Sequence, residues 1–296
     1  LTRVAQLINF ANSAGLKAIV NIHHDGSPDN WLSIKKAAAD PEYNTQVKAT
    51  LKALWTQIAT RFADKGDFLY FEGMNEIQDG GWGWGDNRTD GGKQYSIMNE
   101  WLQIFVDAVR AAGGENANRW LCVPTYTTNI DLGDYLVLPN DPANKLIVAV
   151  HCYEPYLYTL EDKYSEWGHT AKSGEAKNGE KQVVAELDKI TKKWISKGIP
   201  AYIGEFGCVH RSTERAEAFR KYYLEYFVKA AADRNIPVVY WDNGSKGSGR
   251  ECSGLFERAT GEYVNNGADI TYIFRKAWNN GDPAYTLQSV YDSAPE

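Results

Sequence analysis

Apolar positions along this chain come in two kinds of run that alternate. Residues 1–15, "LTRVAQLINFANSAG", put Val4, Leu7, Ile8 and Ala11 on one helical face, and Gly15 stands where a terminating glycine belongs. "LKAIVNIHHDG" (16–26) is then a short continuous apolar run rich in Ile and Val, which predicts a buried strand. Helical spacing returns at 44–64, 94–114, 179–199, 213–236 and 269–281. Between them, strands are predicted in "FLYFEGMNE" (68–76), "RWLCVPTYT" (119–127), "KLIVAVHCY" (145–153), "PAYIGEFG" (200–207) and "PVVYWDNG" (237–244). The predicted strands are continuously apolar rather than alternating, as parallel strands covered on both faces require.

An open doubly wound sheet and a closed barrel both fit that alternation. Polar residues at the strand exits separate them: His23 and His24, Asn75 and Glu76, Thr125, His151 and Tyr153, Glu205, Trp241 and Asn243. An open sheet gathers its ligand groups at one switch point, whereas a barrel gathers them around its C-terminal rim. Six strand exits contribute, which favours an α/β fold of the (β/α)8 TIM-barrel type. Only six of the eight strands are predicted; the missing strands one and two would precede Leu1, so either they are supplied by another chain or the protein is a partial barrel. Residues 1–296 are expected to form a single, N-terminally truncated barrel domain. Two open sheet edges would invite association, and a second copy or another chain is expected to cover them.

Composition narrows the chemistry. A net charge of −6 at pH 7 argues against a nucleic-acid partner. No apolar run reaches the length of a membrane span. Four cysteines (Cys122, Cys152, Cys208 and Cys252) form no C-x-x-C pair; Cys208 and Cys252 both follow strand exits and are the candidate disulfide. No cofactor is expected, because nucleophile-elbow, dinucleotide and P-loop motifs are missing. His23 and His24 are adjacent, and a regular strand would aim them at opposite faces, so no metal centre is expected. "DGGWGWGDNRTDGG" (79–92) lacks calcium-loop spacing and reads as a substrate-facing loop.

Glu76 and Glu205 each end a strand. One such glutamate is as readily a surface carboxylate as a catalytic one, but two on one rim are what glycoside hydrolysis uses. His151 and Tyr153, two apart, share a strand face; a tyrosine hydroxyl there keeps a carboxylate ionised and a histidine orients a proton. Aromatics make up 13% of the chain, with ten Trp and eighteen Tyr, which suits the apolar face of a pyranose ring. Trp241 reads as such a platform, with Asn243 beside it for hydroxyls; Trp82 and Trp84 serve equally as platform or as a cap on the barrel.

Taken together, "VNIHHDG", "FEGMNE", "VHCYEPY", "IGEFG" and "VVYWDNG" occur in an order and at spacings that resemble glycoside hydrolase family 5, from Leu1 to about residue 280. The resemblance implies a secreted, retaining endo-β-1,4-glucanase acting on cellulose or a related β-glucan, with β-mannan, xylan or xyloglucan as alternatives, or else a non-catalytic carbohydrate-binding partial barrel. It further implies that Glu76 is the acid/base and Glu205 the nucleophile. Asn75 would bind the sugar 2-hydroxyl, Tyr153 would donate to Glu205, and His151 would sit between the catalytic groups. His23 would contact substrate or a carboxylate, and Trp241 would floor a subsite through a cis bond to Asp242. The family strand that supplies an arginine to the nucleophile is missing from this sequence, so activity would be weak or the arginine would come from another chain.

Overall fold

A computed structural model of the 296-residue chain describes residues 1–23, 31–77, 91–172, 177 and 179–296. These residues group into two units, 1–150 with 197–200, and 151–196 with 201–296.

The first unit runs α1 (Thr2–Ser13), β1 (Ala18–Asn21), α2 (Ile34–Ala39), α3 (Pro41–Arg61), β2 (Leu69–Glu72), α4 (Lys93–Ala111), β3 (Leu121–Pro124) and β4 (Leu146–His151), whose last residue already belongs to the second unit. β1 pairs with β2, β2 with β3 and β3 with β4, all parallel. Helix α1 stops as predicted: Gly15 takes φ 71° and the Leu16 amide donates to the Ala11 carbonyl at 2.9 Å. Helix α3 starts earlier than its apolar spacing suggests, at Pro41. The reason is local. Asp40 accepts from the amides of Glu42 and Tyr43 at 2.9 and 3.2 Å, and Pro41 fills the first helical position, where its missing N–H costs nothing.

Trp55 on α3 organises the core of this unit. Its ring lies 5.5 Å from Phe71 and 4.5 Å from Phe105, and its indole N–H donates to the Gly73 carbonyl at 3.1 Å. All three rings are fully buried, each worth about 1.5–3 kcal/mol on burial. Arg119, just ahead of β3, lies over the Phe71 ring and donates to the carbonyls of Phe62, Lys65, Gly66 and Leu69 and to the Asn116 side chain. One guanidinium thereby satisfies the whole turn that feeds β2. Burial holds its pKa down at about 10, against the pull of Glu115 and Asp64.

The second unit holds α5 (Tyr156–Thr159), α6 (Gly179–Lys193), β5 (Ala201–Phe206), α7 (Glu214–Ala232), β6 (Val238–Tyr240), α8 (Gly267–Asn279) and α9 (Leu287–Asp292). β5 and β6 are parallel. Phe206 stacks on Phe227 of α7 at 4.8 Å. The helix predicted over 179–199 ends at Lys193 and passes into a 3-10 turn, Ile195–Lys197, before Gly198 at φ 76°. Arg220 is fully buried and donates to the Cys208 carbonyl (2.8 Å), Glu217 (2.7 Å), the Asn265 carbonyl (3.0 Å) and the Tyr240 hydroxyl (3.1 Å). Burial alone would lower its pKa; Tyr240 and Glu217 outweigh that and raise it. This network ties the exits of β5 and β6 together.

The candidate disulfide is not formed: all four cysteines are free thiols. Cys208 is fully buried beside Arg211 and the Tyr158 carbonyl, while the partly exposed Cys252 sits in a turn with its sulfur 3.5 Å from the Ser248 carbonyl. Their elements approach through the His210 amide and the Cys252 carbonyl instead, at 2.8 Å.

Candidate active site

Each unit carries one of the two strand-end glutamates, and each has its own surroundings. Glu76 follows β2. An aromatic-lined approach requires the glycine ahead of it: a Cβ on Gly73 would stand 2.8 Å from the Phe105 ring. Glu72 is the charged residue inside this otherwise apolar strand; it is buried, and Asn21, its register partner on β1, donates to it at 3.1 Å. Asn75 is buried, and its side-chain oxygen has no hydrogen-bond partner among the described residues. Glu76 itself is half-buried.

The segment after β3 closes over this strand end. The Thr127 amide donates to the Ile77 carbonyl at 3.1 Å, and the Thr128 hydroxyl lies 3.5 Å from Glu76 Oε1. Thr127 and Thr128 take φ 55° and 54°. Left-handed backbone is an outlier for β-branched residues and costs about 1–3 kcal/mol each. Nothing in "TYTTN" beyond the strand-end Thr125 marked this turn in the sequence; Thr125 itself donates to the Asn129 carbonyl at 2.9 Å and folds it. His23 is half-buried just past β1.

In the second unit, Glu205 lies on β5. The Cys152 amide donates to the Glu205 carbonyl at 2.9 Å, which sets the two exits level. Tyr153 donates its hydroxyl proton to Glu205 Oε2 at 2.8 Å, and His151 Nδ1 lies 3.6 Å from the same oxygen. The shared face predicted for residues 151 and 153 is therefore real. Only 12% of the Glu205 side chain and 5% of the His151 side chain are exposed, so the contacts act at reduced screening. Gly204 makes room, since a Cβ there would stand 3.2 Å from His151 Nε2. The Tyr153 carbonyl is held by the Thr159 hydroxyl.

Trp241 is half-buried, its amide bonded to the Phe206 carbonyl at 2.8 Å. Its bond to Asp242 is not cis, contrary to expectation; among the described residues the cis bond is Glu154–Pro155. Trans is the ordinary geometry for a bond not followed by proline, and Asp242 turns the chain by accepting from the amides of Gly244 (3.0 Å) and Leu255 (3.2 Å). Asn243 folds the same loop, donating to the Glu251 carbonyl at 2.5 Å and accepting from the Ser245 amide at 3.0 Å. His24, Trp82 and Trp84 lie outside the described residues.

The family description "Cellulase (glycosyl hydrolase family 5)" matches residues 1–247, which include both glutamates, Tyr153, Trp241 and Asn243. The chain belongs to glycoside hydrolase family 5. Among solved structures of that family, a Bacteroidetes-affiliated GH5 cellulase linked with a polysaccharide utilization locus superposes with a TM-score of 0.94 at 46% identity, covering 100% of this chain and 78% of its own. A GH5-4 broad specificity endoglucanase from Bacteroides salanitronis gives 0.90 at 53% identity, covering 94% and 76%. Endoglucanase 1 of Ruminococcus albus is 34% identical over 289 residues, which is 96% of this chain and 64% of the relative. Family 5 membership fixes the fold class as the (β/α) barrel type. The chain spans about half to two thirds of the length of the first curated relatives it matches, at 65%, 52%, 56% and 64%.

Proposed function

We propose that this family 5 chain hydrolyses internal β-1,4 bonds of a glucan with retention of configuration. The observation that carries the reading is the Tyr153 hydroxyl on Glu205 Oε2 at 2.8 Å, with His151 at 3.6 Å. A donor to the charged form favours an ionised carboxylate, which a nucleophile must be. In the first step a Glu205 oxygen attacks the anomeric carbon while Glu76 gives its proton to the departing glycosidic oxygen. In the second, Glu76 takes a proton from water, the water oxygen attacks the same carbon, and Glu205 leaves as carboxylate. Asn75, with its buried and unmatched amide oxygen, is suited to a sugar hydroxyl. Trp241 offers an apolar face to the ring.

The test is reducing-sugar release from carboxymethyl-cellulose, with the Glu76→Gln/Glu205→Gln double variant as blank. Proton NMR of the first-formed anomer should show the β form. Release no greater than the blank rejects an enzyme and favours a binding module; an α anomer rejects retention. A fast fall in viscosity per bond cut separates endo from exo action. The broad specificity of the Bacteroides salanitronis endoglucanase favours other β-linked polysaccharides as further substrates, and a polysaccharide panel ranks them. Polymers of this size do not cross a membrane, so the proposed place of action is outside the cell.

A further inference from the structure

The structure assigns to Thr128 a role in the proposed reaction: its hydroxyl is a positioning residue for Glu76. The inference rests on the reading of Glu76 as acid/base. A threonine hydroxyl has one proton. Here two acceptors compete for it, the Thr127 carbonyl at 2.5 Å and Glu76 Oε1 at 3.5 Å. The nearer carbonyl takes the proton, which leaves a hydroxyl lone pair turned toward Glu76. A lone pair suits a protonated carboxyl, which donates to it. Once Glu76 has given its proton away, rotation about the Cβ–Oγ1 bond swings the hydroxyl proton from the carbonyl to the new carboxylate. One small group thus serves both protonation states that an acid/base passes through. The separation is at the outer limit of a hydrogen bond, as catalytic contacts without substrate often are.

The backbone is built to put the hydroxyl there. Two consecutive β-branched residues adopt left-handed φ of 55° and 54°, a conformation that their side chains disfavour. It is pinned from both ends, by the Thr127 amide on the Ile77 carbonyl, one residue past Glu76, and by the Thr128 amide on the Thr125 carbonyl at 2.8 Å. Both threonines are buried. Strain of this kind at a reacting group is a recurrent feature of active sites.

The experiment compares kcat/KM on two substrates, a cellooligosaccharide and a dinitrophenyl cellobioside. This constant reports the first chemical step, where only the sugar leaving group needs a proton. Thr128→Val and Thr128→Ala, which remove the hydroxyl at two sizes, should lower kcat/KM for the cellooligosaccharide about tenfold and for the aryl glycoside less than about twofold. Thr128→Ser, which restores the hydroxyl, should return the cellooligosaccharide value to within about threefold of the unsubstituted chain. Equal losses on both substrates, or a serine variant no better than alanine, overturn the positioning role and leave a packing one. Glu76→Gln is run alongside. If its own loss ignores the leaving group, or if the unsubstituted chain turns over neither substrate, the acid/base reading fails and the inference with it. If Glu76→Gln discriminates and the Thr128 variants do not, the inference alone fails.

Discussion

Glu76 and Glu205 are the same residue type at the same kind of place, the exit of a parallel strand, yet their neighbours differ. Glu205 accepts from the Tyr153 hydroxyl at 2.8 Å, and His151 stands 3.6 Å from the same oxygen. Glu76 faces the Thr128 hydroxyl at 3.5 Å, which also lies 2.5 Å from the Thr127 carbonyl. One carboxylate accepts a tyrosine hydroxyl at close range; the other meets a threonine hydroxyl at the outer limit of a hydrogen bond. Roles in a carboxylate pair follow from such differences in surroundings, not from the carboxylates themselves.

The strongest way to break the comparison is Glu205→Gln. Loss of the nucleophile should lower turnover by on the order of 10⁴ or more while cellooligosaccharide affinity, measured by calorimetry, is kept. Activity above about 1% of the unsubstituted chain would remove Glu205 from the nucleophile role.

Tyr153→Phe sharpens the same side. A hydrogen bond to a charged group is worth about 1.5–3 kcal/mol, so kcat/KM should fall about 10- to 100-fold. The sign of the pH effect is fixed. The hydroxyl favours the ionised carboxylate, its removal favours the protonated one, and activity should therefore be lost at higher pH on the acid side of the profile. A profile that drops uniformly without moving would mean that Tyr153 orients rather than stabilises.

The contrast between the two strand ends also explains what the sequence disclosed. All six strands were legible because a buried parallel strand is a continuous apolar run, and the Glu205 half was legible because His151 and Tyr153 obey a strand's period of two. The Glu76 half was less so. Thr128 reaches Glu76 across a separation of 52 residues through a turn whose left-handed backbone no side-chain pattern announces. Arg119 is similarly silent: apart from the Asn116 side chain three residues before it, it binds carbonyls, which every residue has. The Cys208–Cys252 pairing failed for the opposite reason. Position after a strand suggested proximity, but a disulfide depends on side-chain direction, which spacing does not supply.

Two glycines carry the comparison to smaller effects. Gly73→Ala at the β2 exit puts a methyl 2.8 Å from the Phe105 ring, which is itself wedged against Trp55 at 4.5 Å. Overpacking there should cost about 1–3 kcal/mol of stability, read as a lower Tm or denaturant midpoint. That ring belongs to the core around Trp55, so kcat/KM per folded molecule should change little. An unaltered Tm would mean that α4 yields more easily than a close-packed core does.

Gly204→Ala is the counterpart at the β5 exit, and there the balance should reverse. Its methyl would stand 3.2 Å from His151 Nε2 and 3.3 Å from Cδ2, close enough to displace the ring by a few tenths of an ångström. The clash is with the edge of the His151 ring rather than with backbone, so a small shift of the ring should relieve it at little cost in stability. The displacement acts on the 3.6 Å separation between His151 Nδ1 and Glu205 Oε2. If a misplacement of about 1 Å at a reacting group costs about 10²-fold, a few tenths should cost about three- to fivefold in kcat/KM. Tm should stay nearly constant. The pair of variants thus separates two uses of a strand-end glycine: Gly73 admits a core ring and answers in stability, whereas Gly204 admits a site residue and answers in rate. A Gly204→Ala chain that loses stability but keeps its kcat/KM would place His151 among the packing residues and leave Tyr153 as the side chain that sets Glu205 apart from Glu76.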